Sequence, residues 1–425
     1  MAHFTAKRQT IATLALVLLA ALSSGSLSAQ EAVNLQFWYA YTGPVQETNE
    51  QLTKTFNETV GKEKNITVTA VYQGGYPELN QKVQAAHIAG NPPDAFVLDM
   101  GTTGAFAMNG VIEPLDKLIA RDKFNLNDFQ NGIIENGIVK KKVYALPYLP
   151  STSIMFMNTT LLKKAGLNPE GPKTWDELAS YCKTIKEKTG AYGLTMFSWT
   201  WLYEAFLKQL GTSVLNEDED ASNIGGKSSL EVVTFFNDLK NAGYIKILSS
   251  ADASKLSAEI AGQKTAMWFY STAAITSYMG LAKSSGFELN ACFLPKKVMY
   301  GTSIGGANLA ISSKISAKAK DAAWIFIKWM TDTQQTIYAS QKTGYMPTRT
   351  SAIESAEMKQ LYSKIPMFKI AVDQIQYASS SPKNPMFNEA SKLIVKSLDA
   401  VWVDGQNAVT VFVDAEKKVN AILKE

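Results

Sequence analysis

The sequence predicts an α/β fold in two lobes, and three observations carry that expectation. At 425 residues the chain exceeds one typical core. Strand-like and helix-like segments alternate from residue 34 to residue 98, the pattern of an α/β unit with a mainly parallel sheet. Residues 144–178 (YALPYLPSTSIMFMNTTLLKKAGLNPEGPKTWDEL) read as chain that leaves one body, crosses, and builds another. With 46% hydrophobic and 19% charged residues, the balance is that of a globular protein.

Lys7 and Arg8 precede an apolar run, Ile11 to Leu22, and small residues follow from Ser23 to Ala29. Residues 1–29 therefore read as a secretory signal peptide cut after Ser28 or Ala29. The apolar run, about a dozen residues, is short of the roughly 20 that span a bilayer, which disfavours a membrane anchor. No cysteine near the cut offers a lipid anchor, so a periplasmic protein is expected. Loss of Lys7 and Arg8 takes the net charge from +4 to +2, which gives no reason to expect nucleic acid.

Asn34–Tyr41 (NLQFWYAY) reads as a strand, Thr42–Pro44 as a turn, and Val45–Val60 as a helix with Leu52, Phe56 and Val60 on one face. Ile66–Tyr72 is the next strand, Leu79–Ala89 the next helix, and Ala95–Leu98 another strand. Ligands in such sheets bind beyond the carboxyl ends of the strands, which makes Tyr41, Thr42, Tyr76, Asp99 and Met100 candidates on pattern alone. The proline-broken run Ala145–Tyr148 reads as an extended segment that cannot be a central strand, and Pro150–Ser153 as an exposed polar turn. Ile154–Met157 reads as a strand. Asn158 and Thr159 start a short helix, Thr160–Ala165, closed by Gly166 in the left-handed region. Thr174, with Glu177 three residues on, forms a capping box for the next helix.

Residues 213–229 are polar and loop-like, an exposed insertion without the ligand spacing or closing glutamate of a calcium loop. Thr265–Tyr270 reads as a strand ending at Ser271 and Thr272, and Ser303–Ala307 (SIGGA) leads into the strand Asn308–Ile311. Ser316 caps a helix, Ala317–Met330, with Ala322, Ile325, Phe326 and Trp329 on one face.

Chemistry is largely excluded by what is missing. His87 is the only histidine once His3 leaves with the leader, and it lies in a helical run (KVQAAHIAG) that reads as helix surface. Histidine triads and histidine zinc sites are thereby disfavoured, and no GxSxG elbow or phosphate loop occurs. No metal or cofactor is expected. A secreted glycosidase with paired carboxylates stays open as the enzymatic alternative. Cys182 and Cys292 are expected to be buried free thiols.

The order and spacing of several short runs resemble family 1 extracellular solute-binding proteins, the ligand-capturing subunits of ABC importers, and within them the sn-glycerol-3-phosphate-binding type. These runs are FWYAYTG (37–43), YQGGYPELNQKV (72–83), GNPPDAFVLDMGT (90–102), FMNTTLLKKAGL (156–167) with KTWDEL (173–178), SIGGANLAI (303–311) and QKTGYMPTRTSA (341–352). The resemblance implies a two-lobed periplasmic-binding-protein fold with hinge-crossing strands, maltose-binding-protein-like, and no chemistry of its own. Residues 30–148 plus 274–330 would form the N-terminal lobe, and 149–273 plus 331–425 the C-terminal lobe. The implied partners are a small-molecule ligand (glycerol-3-phosphate, a glycerophosphodiester such as glycerophosphocholine, or a sugar) and the importer's permease subunits with their ATPase, with the protein itself a monomer.

Carried over position by position, the resemblance implies ligand contacts at Tyr76 and Tyr345, at Asp99 on the third strand, and at Ser151 in the crossover. It adds Ser271 beside Thr272, Gly306 in the double glycine, and the pair Trp199 and Trp201, where the local spacing is shorter than in the type. The type's phosphate-binding arginine has no counterpart in Ser379–Ala390, where Lys383 is the nearest cation. A lysine offers a point charge without a bidentate fork, so a singly charged phosphodiester or a polyol is expected over a phosphate dianion. Tyr76 and Asp99 would come from one lobe, Ser151 and Tyr345 from the other. The runner-up ligand is a maltose-like oligosaccharide.

Overall fold

The computed structural model describes residues 31–425; the expected leader over residues 1–29 lies outside the described residues. Ten strands join in one hydrogen-bonded sheet: β1 (Val33–Tyr39), β2 (Ile66–Tyr72), β3 (Ala95–Asp99), β4 (Ala145–Asn158), β5 (Tyr192–Phe197), β6 (Ile245–Leu248), β7 (Thr265–Ser271), β8 (Leu289–Cys292), β9 (Thr302–Ile311) and β10 (Ala378–Ser379). Their order is β2-β1-β3-β9-β4-β7-β5-β6, with β8 on β4 and β10 on β9. The α/β alternation puts the outer strands of each lobe parallel: β1 with β2 and β3, and β5 with β6 and β7. The strands that join the lobes are antiparallel, so the sheet is mixed at its centre.

β4 overturns the expected turn at Pro150–Ser153. It is a single 14-residue strand, buried throughout, that passes from one lobe into the other. Its prolines are nevertheless where strand chemistry allows them. Residues 145–152 pair with β9, whereas pairing with β7 begins at Ser153 and with β8 at Met155. The strand is therefore central by topology but has a single strand partner over its proline-bearing half. Pro147, opposite Asn308, sits at the register shift between Ala307 and Asn308. The segment that read as an exposed turn is held by buried polar pairs: the Thr152 amide donates to Thr272 Oγ1 at 3.2 Å, and Ser153 Oγ meets Thr302 Oγ1 at 2.9 Å.

The local helix chemistry is as the sequence indicates. Asn158 Oδ1 accepts from the Leu161 amide, Gly166 ends that helix at φ 74°, and Thr174 accepts from the Glu177 amide. The cores divide the chain less simply. One draws on residues 35–149 and 307–345, with Phe37, Phe96, Phe106, Trp324 and Phe326 at its centre. The other body is built on Trp175, Phe206, Phe236, Phe269 and Trp402, and on Phe156, Trp268 and Tyr278. Residues 275–291, expected with the first lobe, thus pack against the second body's strands, and Ala339 and Tyr345, expected with the second, pack into the first.

His87 is not on a helix surface. It is 8% exposed, and burial together with the Lys314 ammonium lowers its basicity. Cys182 is buried and Cys292 half-buried, and neither is in a disulfide. Among the described residues no helix is long and apolar enough to cross a membrane.

Candidate ligand-binding cleft

The carboxyl ends of β1 and β3 from one body, and of β5 and β7 from the other, converge on a cavity of about 700 Å³. That is the size range of small-molecule sites, about 300–1,000 Å³. Eight of the ten residues expected from sequence line it: Tyr76, Asp99, Ser151, Trp199, Trp201, Ser271, Gly306 and Tyr345.

Two do not. Thr272 is fully buried below the wall, its hydroxyl engaged by the Thr152 amide, so it braces the crossover strand instead of facing the cavity. Lys383 is not part of the lining. Its amide donates to Glu219 Oε2 at 2.6 Å, and its carbonyl oxygen lies where a side chain on Gly104 would have to go, 2.4 Å from that Cβ position. Of the candidates read from strand ends alone, Tyr41 lines the cavity, Met100 is buried beside Ile133 and Ile304, and Thr42 is exposed.

The first wall is a tyrosine cluster. Tyr41 and Tyr76 meet edge to face at 4.7 Å, Tyr41 holding a left-handed φ of 67°. Tyr345 packs in the core of this body, opposite to the lobe assignment expected, and shares a hydrogen bond with Tyr76. Burial pushes the Tyr345 phenol up to about 12, so it stays neutral and able to donate. Asp99, at the end of β3, lines the cavity beside these tyrosines and accepts from Thr102 Oγ1 at 3.2 Å. Burial raises its carboxyl to about 6 against the hydrogen bonds from Thr102 and from the Gly101 and Thr102 amides, which lower it.

The second wall is an aromatic stack that begins where β5 ends. Phe197 stacks on Trp199 at 5.3 Å, Trp199 meets Trp201 at 4.7 Å, and Tyr270 of β7 closes the row at 5.7 Å from Trp199. Trp199 caps the helix Thr200–Gln209, which places Trp201 in its first turn and Glu204 three residues on, on the same side. Trp201 Nε1 is a buried donor with no hydrogen-bond partner. Between the walls run the two crossing strands, with Ser151 of β4 opposite Gly305 of β9 and Pro150 opposite Gly306. Gly305 is required by the indole, since a Cβ there would lie 2.9 Å from Trp201 Nε1. Gly306 is required by its φ of 98° and by the Leu149 carbonyl oxygen, 1.9 Å from its Cβ position.

Sequence reasoning missed Glu204, Tyr270 and the last segment of the wall, Ser381, Asn388 and Ser391. Glu204 carried a signal, being an acid in the mainly apolar first turns of its helix, three residues after the tryptophan pair. Burial pushes its carboxyl up to about 8, the Asp99 charge adds to this, and the Ser381 hydroxyl offsets part. Among the described residues, the cavity lining contains no lysine, arginine or histidine, and its acids are Asp99 and Glu204. No group of three metal-ligating side chains occurs among the described residues.

Comparison with known proteins places this architecture. The sn-glycerol-3-phosphate-binding periplasmic protein UgpB of Rhizobium meliloti is 28% identical over 356 residues, covering 80% of this chain and 81% of that one. The crystal structure of UgpB from Mycobacterium tuberculosis in complex with glycerophosphocholine superimposes with a TM-score of 0.82 at 24% identity, over 93% of this chain and 99% of that one. The GacH receptor of Streptomyces glaucescens, solved unliganded and with acarbose, gives a TM-score of 0.82 at 21% identity, over the same shares of the two chains. At these identities the two solved structures speak for the two-lobed fold. The sequence profile of the bacterial extracellular solute-binding proteins matches residues 51–364, and the chain belongs to that family.

Proposed function

We propose that the protein is the substrate-binding subunit of an ABC importer, capturing a glycerophosphodiester in the cleft between its lobes and delivering it unaltered to the permease. The observation that carries the ligand class is the cleft lining: two aromatic walls, small donors at the crossing strands, two acids, and, among the described residues, no basic side chain. Aromatic faces suit the C–H faces of a glyceryl chain, and the orphaned Trp201 N–H suits an oxygen acceptor. Ser151, Ser271 and the amides of the double glycine suit a singly charged phosphate. A phosphate dianion, as in glycerol-3-phosphate, would sit beside Asp99 with no lysine or arginine to neutralise it. The likeness to glycerol-phosphate-binding relatives supports the glyceryl phosphate unit, and the missing cation favours the diester over the monoester.

We place the first lobe on residues 31–149 and 307–345, and the second on 150–306 and 346–425, following the two cores. Tyr41, Tyr76, Asp99 and Tyr345 then face Trp199, Trp201, Glu204, Tyr270 and Ser271 across the cleft. Closure is a hinge shift biased by contacts made from both sides. A maltose-like oligosaccharide is the second reading, since aromatic walls with carboxylates and no base also serve sugar hydroxyls.

Thermal shift and calorimetry against glycerophosphocholine, glycerophosphoethanolamine, glycerol-3-phosphate, maltose and maltotriose test both readings. A ligand at 100 times its Kd adds about 2.7 kcal/mol of stability. Preference for a glycerophosphodiester is expected. Binding of the sugars alone sinks the first reading, and turnover of any of these compounds sinks the transport role.

A further inference from the structure

The turn that precedes the first crossing strand carries charge where backbone chemistry asks for glycine. Ile138–Val139 and Lys142–Val143 pair antiparallel with Val139 opposite Lys142, so Lys140 and Lys141 alone make the turn. Both hold left-handed φ values, 46° and 66°. Two successive positive φ values mark the type I′ hairpin turn, which is dominated by asparagine, aspartate and glycine. Lysines are held in that conformation only at a cost in stability. The base beneath them is fixed: Val139 and Val143 are buried in the first body's core, and the Leu115 amide donates to the Val143 carbonyl at 2.7 Å. The tip is bare. Lys140, Lys141 and Lys142 are exposed, as is Lys117, two residues beyond Leu115, and among the described residues none of the four is in an ion pair. The acids on the adjoining segments, Asp116 and Glu135, are two against four lysines, which leaves the local balance positive. Strand register puts the hairpin at the end of the sheet away from the cleft. Val143 lies two residues before Ala145, which pairs with Ala310, whereas Asp99 at the cleft pairs with Ala307, three residues nearer the crossing.

We propose that Lys140, Lys141 and Lys142, with Lys117 near them, form a docking surface for an anionic lipid bilayer, and that the two turn lysines are kept against backbone strain for their charge. Charge complementarity selects this occupant. A lysine ammonium is a compact, strongly hydrated point charge, which suits a diffuse layer of phosphate head groups. Protein interfaces centre instead on aromatic side chains and arginine and are depleted in lysine, and this tip is lysine over a valine base. Each lysine near a strongly anionic surface strengthens binding by about fivefold, so four of them give a weak, reversible attachment that salt weakens. Attachment by this tip leaves the cleft free to take up and release its ligand. The proposal is independent of which ligand that is.

The test is co-sedimentation of the purified protein with vesicles of phosphatidylcholine alone and of phosphatidylcholine mixed with phosphatidylglycerol, at low salt and at about 1 M salt, where screening reaches to about 3 Å. The wild type is expected to bind the mixed vesicles at low salt and to leave them at high salt and on pure phosphatidylcholine. The double variant Lys140→Asn, Lys141→Gly removes two charges and supplies the residues the turn prefers. It is expected to bind the mixed vesicles about 25-fold more weakly while its Tm rises by about 1–3 °C. Lys142→Gln, which leaves the turn residues alone, should weaken binding about fivefold, and Lys140→Arg with Lys141→Arg should restore it. Equal binding to both kinds of vesicle, undiminished binding by the double variant, or a fall in its Tm overturns the proposal. Polyglutamate serves as the contrast: capture of polyglutamate without capture of anionic vesicles assigns the tip to an acidic protein partner and overturns it too.

Discussion

Alanine in place of Gly305 tests whether Trp201 is held for the ligand by the crossing strand. A methyl group there would lie 2.9 Å from Trp201 Nε1 and Cε2 and 3.0 Å from Cζ2. Contact at the ordinary carbon–carbon separation, about 3.5–4.0 Å, demands that the indole retreat by about half an ångström to one ångström. Only a side chain has to move, so the fold should survive nearly unchanged. The indole, however, leaves the place where it faces the ligand and meets Trp199 at 4.7 Å. An aromatic contact of this kind is worth about 0.5–1.5 kcal/mol beyond its buried area, which corresponds to a loss of affinity of about 2- to 12-fold. Calorimetric titration of Gly305→Ala with the ligand of the wild type reads this loss. Gly306→Ala is the contrast: its Cβ would fall 1.9 Å from the Leu149 carbonyl oxygen at a φ of 98°, so the backbone itself must yield. The left-handed conformation alone costs a non-glycine residue about 1–3 kcal/mol, and a fall of several degrees in Tm is expected. Wild-type affinity in Gly305→Ala, or equal destabilisation by the two substitutions, refutes the reasoning.

Gly104→Ala would drive a methyl into the Lys383 carbonyl, 2.4 Å away, and lift residues 381–386 from the first lobe; X-ray scattering should show a less compact protein at saturating ligand and calorimetry a weaker Kd. Lys383→Ala should leave affinity for every ligand in the panel within about twofold, because its side chain does not line the cavity. Glu204 holds its proton more tightly folded than unfolded, its value rising from 4.5 to about 8, so its contribution to stability is full below the lower value and is lost as pH rises through the upper. Scanning calorimetry from pH 5 to pH 9 should therefore show a Tm difference between Glu204→Gln and the wild type that moves in favour of the variant as pH rises. Cys182, fully buried with its thiol pushed up by desolvation, should resist a thiol reagent until the protein unfolds, measured by absorbance at native and denaturing conditions.

The parts of this protein set by nearest-neighbour chemistry were readable residue by residue. Period-two burial in β1, the Asn158 and Thr174 caps and the Gly166 terminus each follow from a few adjacent side chains. The crossing was misread because the proline rule looks at one strand and the answer lies in its partners: Pro147 and Pro150 are tolerated where β4 has β9 on one side and no other strand partner. The same limit hid Glu204, since its significance depends on Asp99 from the other lobe and Ser381 from a segment 177 residues downstream, and helical spacing reports neither. Lys383 erred the other way. Its position in sequence put it near the cleft, but of this segment Ser381, not Lys383, lines the cavity, and the Lys383 amide donates to Glu219 Oε2.

On the proposed function, the hinge and the ligand site share residues, and this has a mechanistic consequence. Ser151 and the double glycine lie on β4 and β9, the two strands that carry the chain between lobes, and they also line the cavity. On that reading a ligand held there touches the pivot, the part of a hinge that moves least, and gains little from closure. Closure must be driven from the walls, where Tyr76, Asp99 and Tyr345 approach Trp199, Trp201 and Glu204. A ligand shifts the open–closed equilibrium only by its difference in affinity for the two states, and moving from 1:99 to 99:1 takes about 5.5 kcal/mol. Phosphate contacts at the pivot can thus give binding without closure, and the groups reaching both walls decide whether bound ligand is presented to a permease. Glycerol-3-phosphate, which ends at its phosphate, should then bind weakly and leave the scattering profile open, whereas a diester with a head group long enough to reach Glu204 should compact it.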